Sequence, residues 1–407
     1  MEPGKFAGER MAESNPKWKV ATSRLKELYQ RPNDIRSPFA RDYNRILHCT
    51  AYRRLKHKTQ VFFATSNDHI CTRIEHVSHV ASVSHTIAEF LGLNTELTAA
   101  IAIGHDVGHA PFGHAGEEIL REIARENLGD TFWHERNSLR FVDKCETLPD
   151  DAGVEQNLHL TYAVRDGIVS HCGEVDDEAL VPRDEAIRLE ELTEASAVPP
   201  FTWEGCVVKV ADKVAYLGRD IEDALTLSIL TEDQLAELQH MARDVLGSAL
   251  EALNTTVVMH EFIIDLCTHS DPQKGIRLSA LKFELMKRLR KFSQEHIYQH
   301  ERLRIYRDYA RLIIQSLFKT LLGLYQGRDT LRAVEEKARL YPNLAGGFRD
   351  WLWRYSDANP REDSCKLENE ILYRLGEERD YRQAIMDYIS GMTDAYAIKA
   401  FGELTSF

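Results

Sequence analysis

Three histidines, an aspartate and a glutamate fall within thirteen residues in His105-Asp106-Val107-Gly108-His109-Ala110-Pro111-Phe112-Gly113-His114-Ala115-Gly116-Glu117. Imidazole and carboxylate together suit a hard-to-borderline divalent cation, and an ordinary core helix would not keep the glycines and proline between them. Seven of the 17 histidines (His69, His76, His79, His85, His105, His109 and His114) lie in this stretch or the segment before it. Adjacent His105 and Asp106 point about 100° apart on a helix and offer only two ligands, so others must come from elsewhere. His76, in Arg73-Ile74-Glu75-His76, opens an amphipathic segment upstream. Asp212 follows the apolar run Cys206 to Ala211, where an acid is costly to bury unless paired or bound to a cation. The expected metal set is therefore His76, His105, Asp106 and Asp212, and these ligand types admit Mn, Mg, Fe, Ni, Co or Zn. His114 and Glu117, three apart, share a helix face. Asp212, Tyr216 and Asp220 share another at i, i+4 and i+8.

The elements that must carry these residues read as helices. His76 to Leu91 has helical apolar spacing, Gly92-Leu93-Asn94 ends it, and Thr95 begins a second helix that delivers His105 and Asp106. Gly108, Pro111 and Gly113 break the chain before a helix that starts near His114. Asn157 to Gly167 reads as helical, as does the Asp212 segment from Glu204 to about Leu230. Amphipathic stretches follow at Leu281 to Phe292, Tyr306 to Leu322 and Glu368 to Leu404. Strand-like alternation is scarce and no fixed repeat appears, so the expected fold is mainly α. The sequence has neither GxGxxG nor GxxxxGK[ST].

The divisions expected are an N-terminal surface arm at 1–35, a catalytic core at 36–230 with an acidic insertion at 174–203, and a helical C-terminal region at 231–407 packed on the core. Between Arg36 and Lys58 seven Lys/Arg face a single acid, Asp42, a local reversal that suggests phosphate. The whole chain is acidic, with a formal charge of −13 over 407 residues, which argues against general nucleic-acid binding. At 43% hydrophobic and 28% charged it can bury a large core, in one domain or two. Seven dispersed cysteines without a CxxC pair suit a reducing, cytoplasmic setting. No signal-peptide pattern or membrane-length apolar run is present.

Taken together, these residues resemble the HD-domain phosphohydrolases, specifically the deoxynucleoside triphosphate triphosphohydrolases of the bacterial dGTPase-like group. The likeness also runs through Arg36 to Asp42, Tyr52 to Phe62, Asn157 to Gly173, Asp212 to Asp223 and Asp387 to Asp394, in the family's order. It is loose over 174–205 and 225–380. It implies an HD-type helical fold with additional C-terminal helices. It also implies metal-dependent cleavage of a dNTP, dGTP among them, to deoxynucleoside and inorganic triphosphate. Other activities of HD proteins, on nucleoside monophosphates, cyclic nucleotides or alarmones, are the alternatives, and so is a nucleotide-sensing or single-stranded nucleic-acid-binding protein.

By the same resemblance His114 and Glu117 form a catalytic dyad, with His114 serving as base towards water or as acid towards the leaving 5′-oxygen. His109 and His134 would touch the α-phosphate region, and Arg73 and Lys213 the triphosphate. Tyr216 would pack under the ribose C2′, with Asp220 and Gln60 on the 3′-hydroxyl. His79, His85, His159, His171, His296 and His300 are read as structural. Homo-oligomers, tetramers or hexamers, and a nucleotide or single-stranded nucleic acid as effector are further implications of the family.

Overall fold

The computed structural model describes residues 2–29, 33–62, 67–171, 179–194, 198–246, 255–361 and 366–406. Among the described residues helix makes up 63% and strand 5%, so the mainly α expectation holds. Local signals set the helices that matter most. Thr72 and Glu75 form a capping box at the start of Arg73–Leu91, and Gly92, at φ 84°, stops that helix in the left-handed region. Asn94 then caps Thr95–Gly104 by accepting from the N–H groups of Glu96 (3.0 Å) and Leu97 (3.2 Å). Thr202 caps Trp203–Thr226 through the Gly205 N–H at 3.0 Å.

Two hydrophobic cores result. In the first, the helices Pro38–His48, Arg73–Leu91, Thr95–Gly104, Tyr162–Ser170 and Trp203–Thr226 bury Ile46, Val80, Ile101, Val164, Val207 and Val214, and Thr255–His269 and Ala280–Ser293 join them through Phe262 and Leu289. In the second, Gly113–Leu128 packs with Glu301–Leu322, Glu378–Ser390 and Asp394–Thr405 around Ile119, Leu120, Ile313, Leu317, Tyr381 and Ile385. Short antiparallel ribbons, Thr147–Pro149 with Glu155–Asn157 and Ala179–Leu180 with Ile276–Arg277, edge the helices.

Several expectations are corrected. Both cores draw on both sides of residue 230: apolar faces at 255–297 belong to the first core and those at 110–132 to the second. The grouping follows which faces are buried together rather than chain order. Residues 2–29, expected as a surface arm, are fastened to the first core: Phe6 and Met11 are buried, Gly4 N donates to Phe90 O (2.8 Å) and Met11 N to Glu204 Oε1 (3.0 Å). Only Trp18–Ala21 is helical there. Glu155–Asn157 is strand, and the helix expected from 157 begins at Tyr162. The helix bearing Asp212 ends at Thr226. Glu368 to Leu404 divides into Glu378–Ser390 and Asp394–Thr405, parted by Gly391-Met392-Thr393. Of the acidic insertion, 174–178 and 195–197 lie outside the described residues. The rest is tied down by Arg183, which donates to Tyr162 Oη (2.8 Å) and pairs with buried Asp166.

Candidate metal centre

The centre forms at the seam between the two cores. Arg73 and His76 lie in the first turn of Arg73–Leu91, and His105 and Asp106 follow directly on Thr95–Gly104. Asp212 projects from the middle of Trp203–Thr226. Then the glycine-rich segment crosses to the second core. A Cβ on Gly108 would collide with the backbone of Asn137 and Ser138, so only glycine lets the chain pass against His134–Arg140. Gly108 N donates to Ser138 Oγ at 2.9 Å. Phe112 and Gly113, at φ 64° and 61°, turn the chain into Gly113–Leu128. Asp394 fastens that turn, accepting from Phe112 N (2.8 Å) and from Thr59 N (3.0 Å) and Oγ1 (2.9 Å).

The structure brings His76, His105, Asp106 and Asp212 together. His76 Nε2 is 2.9 Å from Asp212 Oδ1 and 4.0 Å from Asp106 Oδ2, and His105 Nε2 is 3.6 Å from Asp106 Oδ2 and 3.8 Å from Asp212 Oδ1. Two ligand atoms at ~2.1 Å from one metal ion lie roughly 3–4 Å apart, so the set has the span of a single cation. His105 Nδ1 donates to Ala102 O at 2.6 Å, which turns the lone pair of Nε2 inward, and that buried nitrogen has no hydrogen-bond partner. A divalent cation would satisfy it and neutralise the buried acids. Despite burial, which acts the other way, Arg73 and then His105 hold Asp106 well below the usual carboxylate range. For Asp212 burial is likewise outweighed, first by the hydrogen bond from His76.

Beyond these candidate ligands the imidazoles form a continuous row. Ring centroids are 5.6 Å apart for His76–His105, 4.9 Å for His105–His171, 5.5 Å for His171–His134, 4.7 Å for His134–His109 and 5.5 Å for His109–His114. His134 is the pivot. Its Nδ1 is 3.0 Å from Glu117 Oε2 and its Nε2 is 3.4 Å from Glu135 Oε1 and 3.7 Å from Asp106 Oδ1. Burial opposes the charged imidazole, but Glu135 and Glu117 raise it to about 10. Burial, with Arg73 nearby, drives His109 well below its ordinary value, and burial with His105 nearby lowers His171 to about 3.

Glu117, expected beside His114, faces two imidazoles. His114 Nδ1 stands 3.9 Å away and the side chain is 68% exposed, whereas the carboxylate is hydrogen-bonded to His134 and to Arg121 (2.8 Å). The first turn of Gly113–Leu128 aims Glu117 inward, towards the His134 ring that the Gly108 crossing brings alongside. Arg73 bonds Asp106 Oδ2 at 2.8 Å and also donates to the Gln60 carbonyl at 3.1 Å. Gln60 Oε1 is buried without a partner. On the Trp203–Thr226 helix, Asp220 accepts from Tyr298 Oη at 2.6 Å, Lys213 is buried and Tyr216 is half-buried.

Sequence reasoning missed His171, Glu135 and Tyr298. His171 was read as structural, yet its Nδ1 is fixed on Ile168 O at 2.7 Å, the arrangement seen at His105. The adjacency of Glu135 to His134 was the available signal for the second. The Arg36–Lys58 cations are largely spent on structure: Arg45 donates to Leu158 O (2.7 Å), Arg54 pairs with Glu146 (3.0 Å), and buried Lys58 donates to the carbonyls of His109 and Ser390.

Residues 73–217 match the HD domain and residues 356–403 the phosphohydrolase-associated domain. Relatives named deoxyguanosinetriphosphate triphosphohydrolase-like protein include one from Desulfatibacillum aliphaticivorans, 36% identical over 94% of this chain and 92% of the relative. Another, from Caldanaerobacter subterraneus subsp. tengcongensis, is 32% identical over 91% of this chain and 86% of the relative. A third, from Paracoccus denitrificans, is 33% identical over 93% and 95%.

Proposed function

This chain belongs to the deoxyguanosinetriphosphate triphosphohydrolase-like family of HD-domain phosphohydrolases, and from that premise we propose that it cleaves dNTPs to a deoxynucleoside and inorganic triphosphate. Water adds to the α-phosphorus, the bond to the 5′-oxygen breaks, and that oxygen leaves with a proton. The observation that carries this reading is the convergence of His76, His105, Asp106 and Asp212 within one cation's span, with His105 Nε2 buried and unpartnered. A divalent metal ion bound there supplies Lewis-acid polarisation of the phosphoryl group and a more acidic water.

The chain's own groups do the rest. Arg73, closed on Asp106, and Lys213 balance phosphate charge. His134 is oriented by Glu117 through Nδ1, leaving Nε2 on the side of Asp106, where it can hold or deliver a proton. His109 lies beside it, and exposed His114 reaches from the solvent side of the row. Tyr216 forms the sugar wall, Asp220 and Gln60 take the 3′-hydroxyl, and Tyr298 steadies Asp220.

The test is incubation with each dNTP, singly and mixed, across a panel of divalent metals, with product analysis. Free triphosphate is expected; orthophosphate or pyrophosphate would assign the chain to another HD-type activity. Turnover only in mixtures would reveal an effector nucleotide, which the reading allows alongside a single-stranded nucleic-acid effector. Homo-oligomerisation belongs to the same proposal. It is supported by an exposed apolar stripe, Ile305, Tyr309 and Leu312, on Glu301–Leu322. Among the described residues no helix is long and apolar enough to cross a membrane.

A further inference from the structure

His109 rides on the glycine-rich crossing, and little that is polar holds its ring. The ring's Nδ1 makes one long contact, 3.4 Å to Ala110 O, and its Nε2 is buried without a hydrogen-bond partner. Its orientation against His134 therefore follows the main chain of residues 108–112. Side chains from both cores hold that main chain by its polar atoms. Lys58, between Leu55 and Phe62 of the first core, donates through Nζ to His109 O. Asp394, at the start of Asp394–Thr405 in the second, accepts from Phe112 N at 2.8 Å. The two anchors are also tied across the seam. Lys58 Nζ donates to Ser390 O at 3.0 Å, and Asp394 Oδ2 takes the N–H (3.0 Å) and hydroxyl (2.9 Å) of Thr59.

The same residues bear on Arg73. Its backbone N–H donates to Lys58 O at 2.9 Å, and its Nη2 to the carbonyls of Thr59 (3.3 Å) and Gln60 (3.1 Å), which leaves Nη1 on Asp106 Oδ2 at 2.8 Å. Lys58 is 2% exposed and Asp394 6%. An ammonium and a carboxylate are costly to bury, and the partners that offset the cost here are chiefly backbone groups of the segments that carry His109 and Arg73. We infer that Lys58 and Asp394 are positioning residues for the hydrolysis proposed above, setting His109 and Arg73 in place without touching substrate. The inference rests on that reading of the reaction. Through Ser390 and Asp394 it gives the C-terminal stretch matched at 356–403 a part in the site: that stretch holds the crossing on which His109 sits.

The test is a double-mutant cycle in the full chain, read by steady-state triphosphate release, metal content and amide hydrogen exchange. Lys58→Met keeps the stem and removes both hydrogen bonds. A displacement of His109 by about 1 Å should cost roughly 10- to 100-fold in kcat, with KM within about threefold and metal content unchanged. In a His109→Ala background the same change should cost less than about threefold, because residues that act as a unit are non-additive. A lysine that only stabilised the fold would lower the active fraction equally in both backgrounds, and the losses would multiply. Lys58→Met should also speed exchange in the peptide holding residues 108–112 and leave the Trp203–Thr226 helix as it is. If Lys58→Met fails to fold, Asp394→Asn decides: its cost in kcat should be smaller in His109→Ala than in the wild-type background, with the same faster exchange at 108–112. Triphosphate release by the wild type, with losses that multiply or exchange that is unchanged at 108–112, would sink this inference alone. Faster exchange there in the variant, with no dNTP turnover in the wild type, would sink the proposed reaction and leave the clasp on the crossing standing.

Discussion

Glu117 can be tested by a double-mutant cycle, because it stands closer to His134, at 3.0 Å, than to His114, at 3.9 Å. Glu117→Gln keeps the shape of the side chain and removes the charge that faces His134 Nδ1 at 3.0 Å. A charge-assisted hydrogen bond in a buried site contributes about 1.5–3 kcal/mol, so the single change should cost roughly 10- to 150-fold in kcat/KM if all of it acts in the transition state. His134→Gln should cost roughly 10²- to 10⁴-fold, the usual range for a proton-transfer group. Since the carboxylate acts only through the ring, Glu117→Gln/His134→Gln should be within about threefold of His134→Gln alone. His114→Ala/Glu117→Gln should come nearer to the product of its single losses than the 117/134 pair does, because His114 is 68% exposed and water screens its longer, 3.9 Å contact with Glu117. Arg121→Met controls for the other contact to Glu117, at 2.8 Å, and should cost less than about threefold. The assay is triphosphate release at saturating metal, with metal content and circular dichroism checked for each variant. Multiplying losses for the 117/134 pair, with non-additive losses for the 114/117 pair, would refute the reasoning and restore the pairing expected from helical spacing.

Three further outcomes are expected. His105→Ala or Asp106→Ala should lose metal and turnover together while keeping helical content; full occupancy by elemental analysis with a normal rate would show that the ligand set is wrong. Wild-type protein should hydrolyse dNTPs at least roughly tenfold faster than the matching NTPs, because a 2′-hydroxyl against Tyr216 is crowded and unsatisfied. Tyr216→Ala should narrow that gap more than it lowers metal content, and equal kcat/KM for dGTP and GTP would dispose of the sugar-wall assignment. Gly108→Ala should lower stability by about 1–3 kcal/mol or more, since its Cβ would run into the Asn137–Ser138 backbone, read as a fall in Tm; an unchanged Tm would show that the crossing is looser than the contact implies.

The sequence by itself determined the family, the mainly α fold and the short list of candidate metal ligands. Each depends on local pattern: His105-Asp106 behind an apolar helix, an acid after the Cys206 to Ala211 run, caps such as Asn94. Period and capping are properties of neighbours in the chain, so one chain suffices to read them. What only the tertiary structure decided is which carboxylate meets which imidazole. Spacing of three put His114 and Glu117 on one face, but Glu117 turns to His134, seventeen residues on, because Gly108 allows two helices to touch at the Asn137–Ser138 backbone. His171 likewise reads as an isolated core histidine until the Tyr162–Ser170 helix sets it 4.9 Å from His105. The segment from Arg36 to Lys58 reads as a phosphate patch until its guanidinium and ammonium groups find carbonyls such as those of Leu158, His109 and Ser390. Such pairings are set by where whole helices pack, and packing of two cores against one seam leaves no periodic trace in either segment.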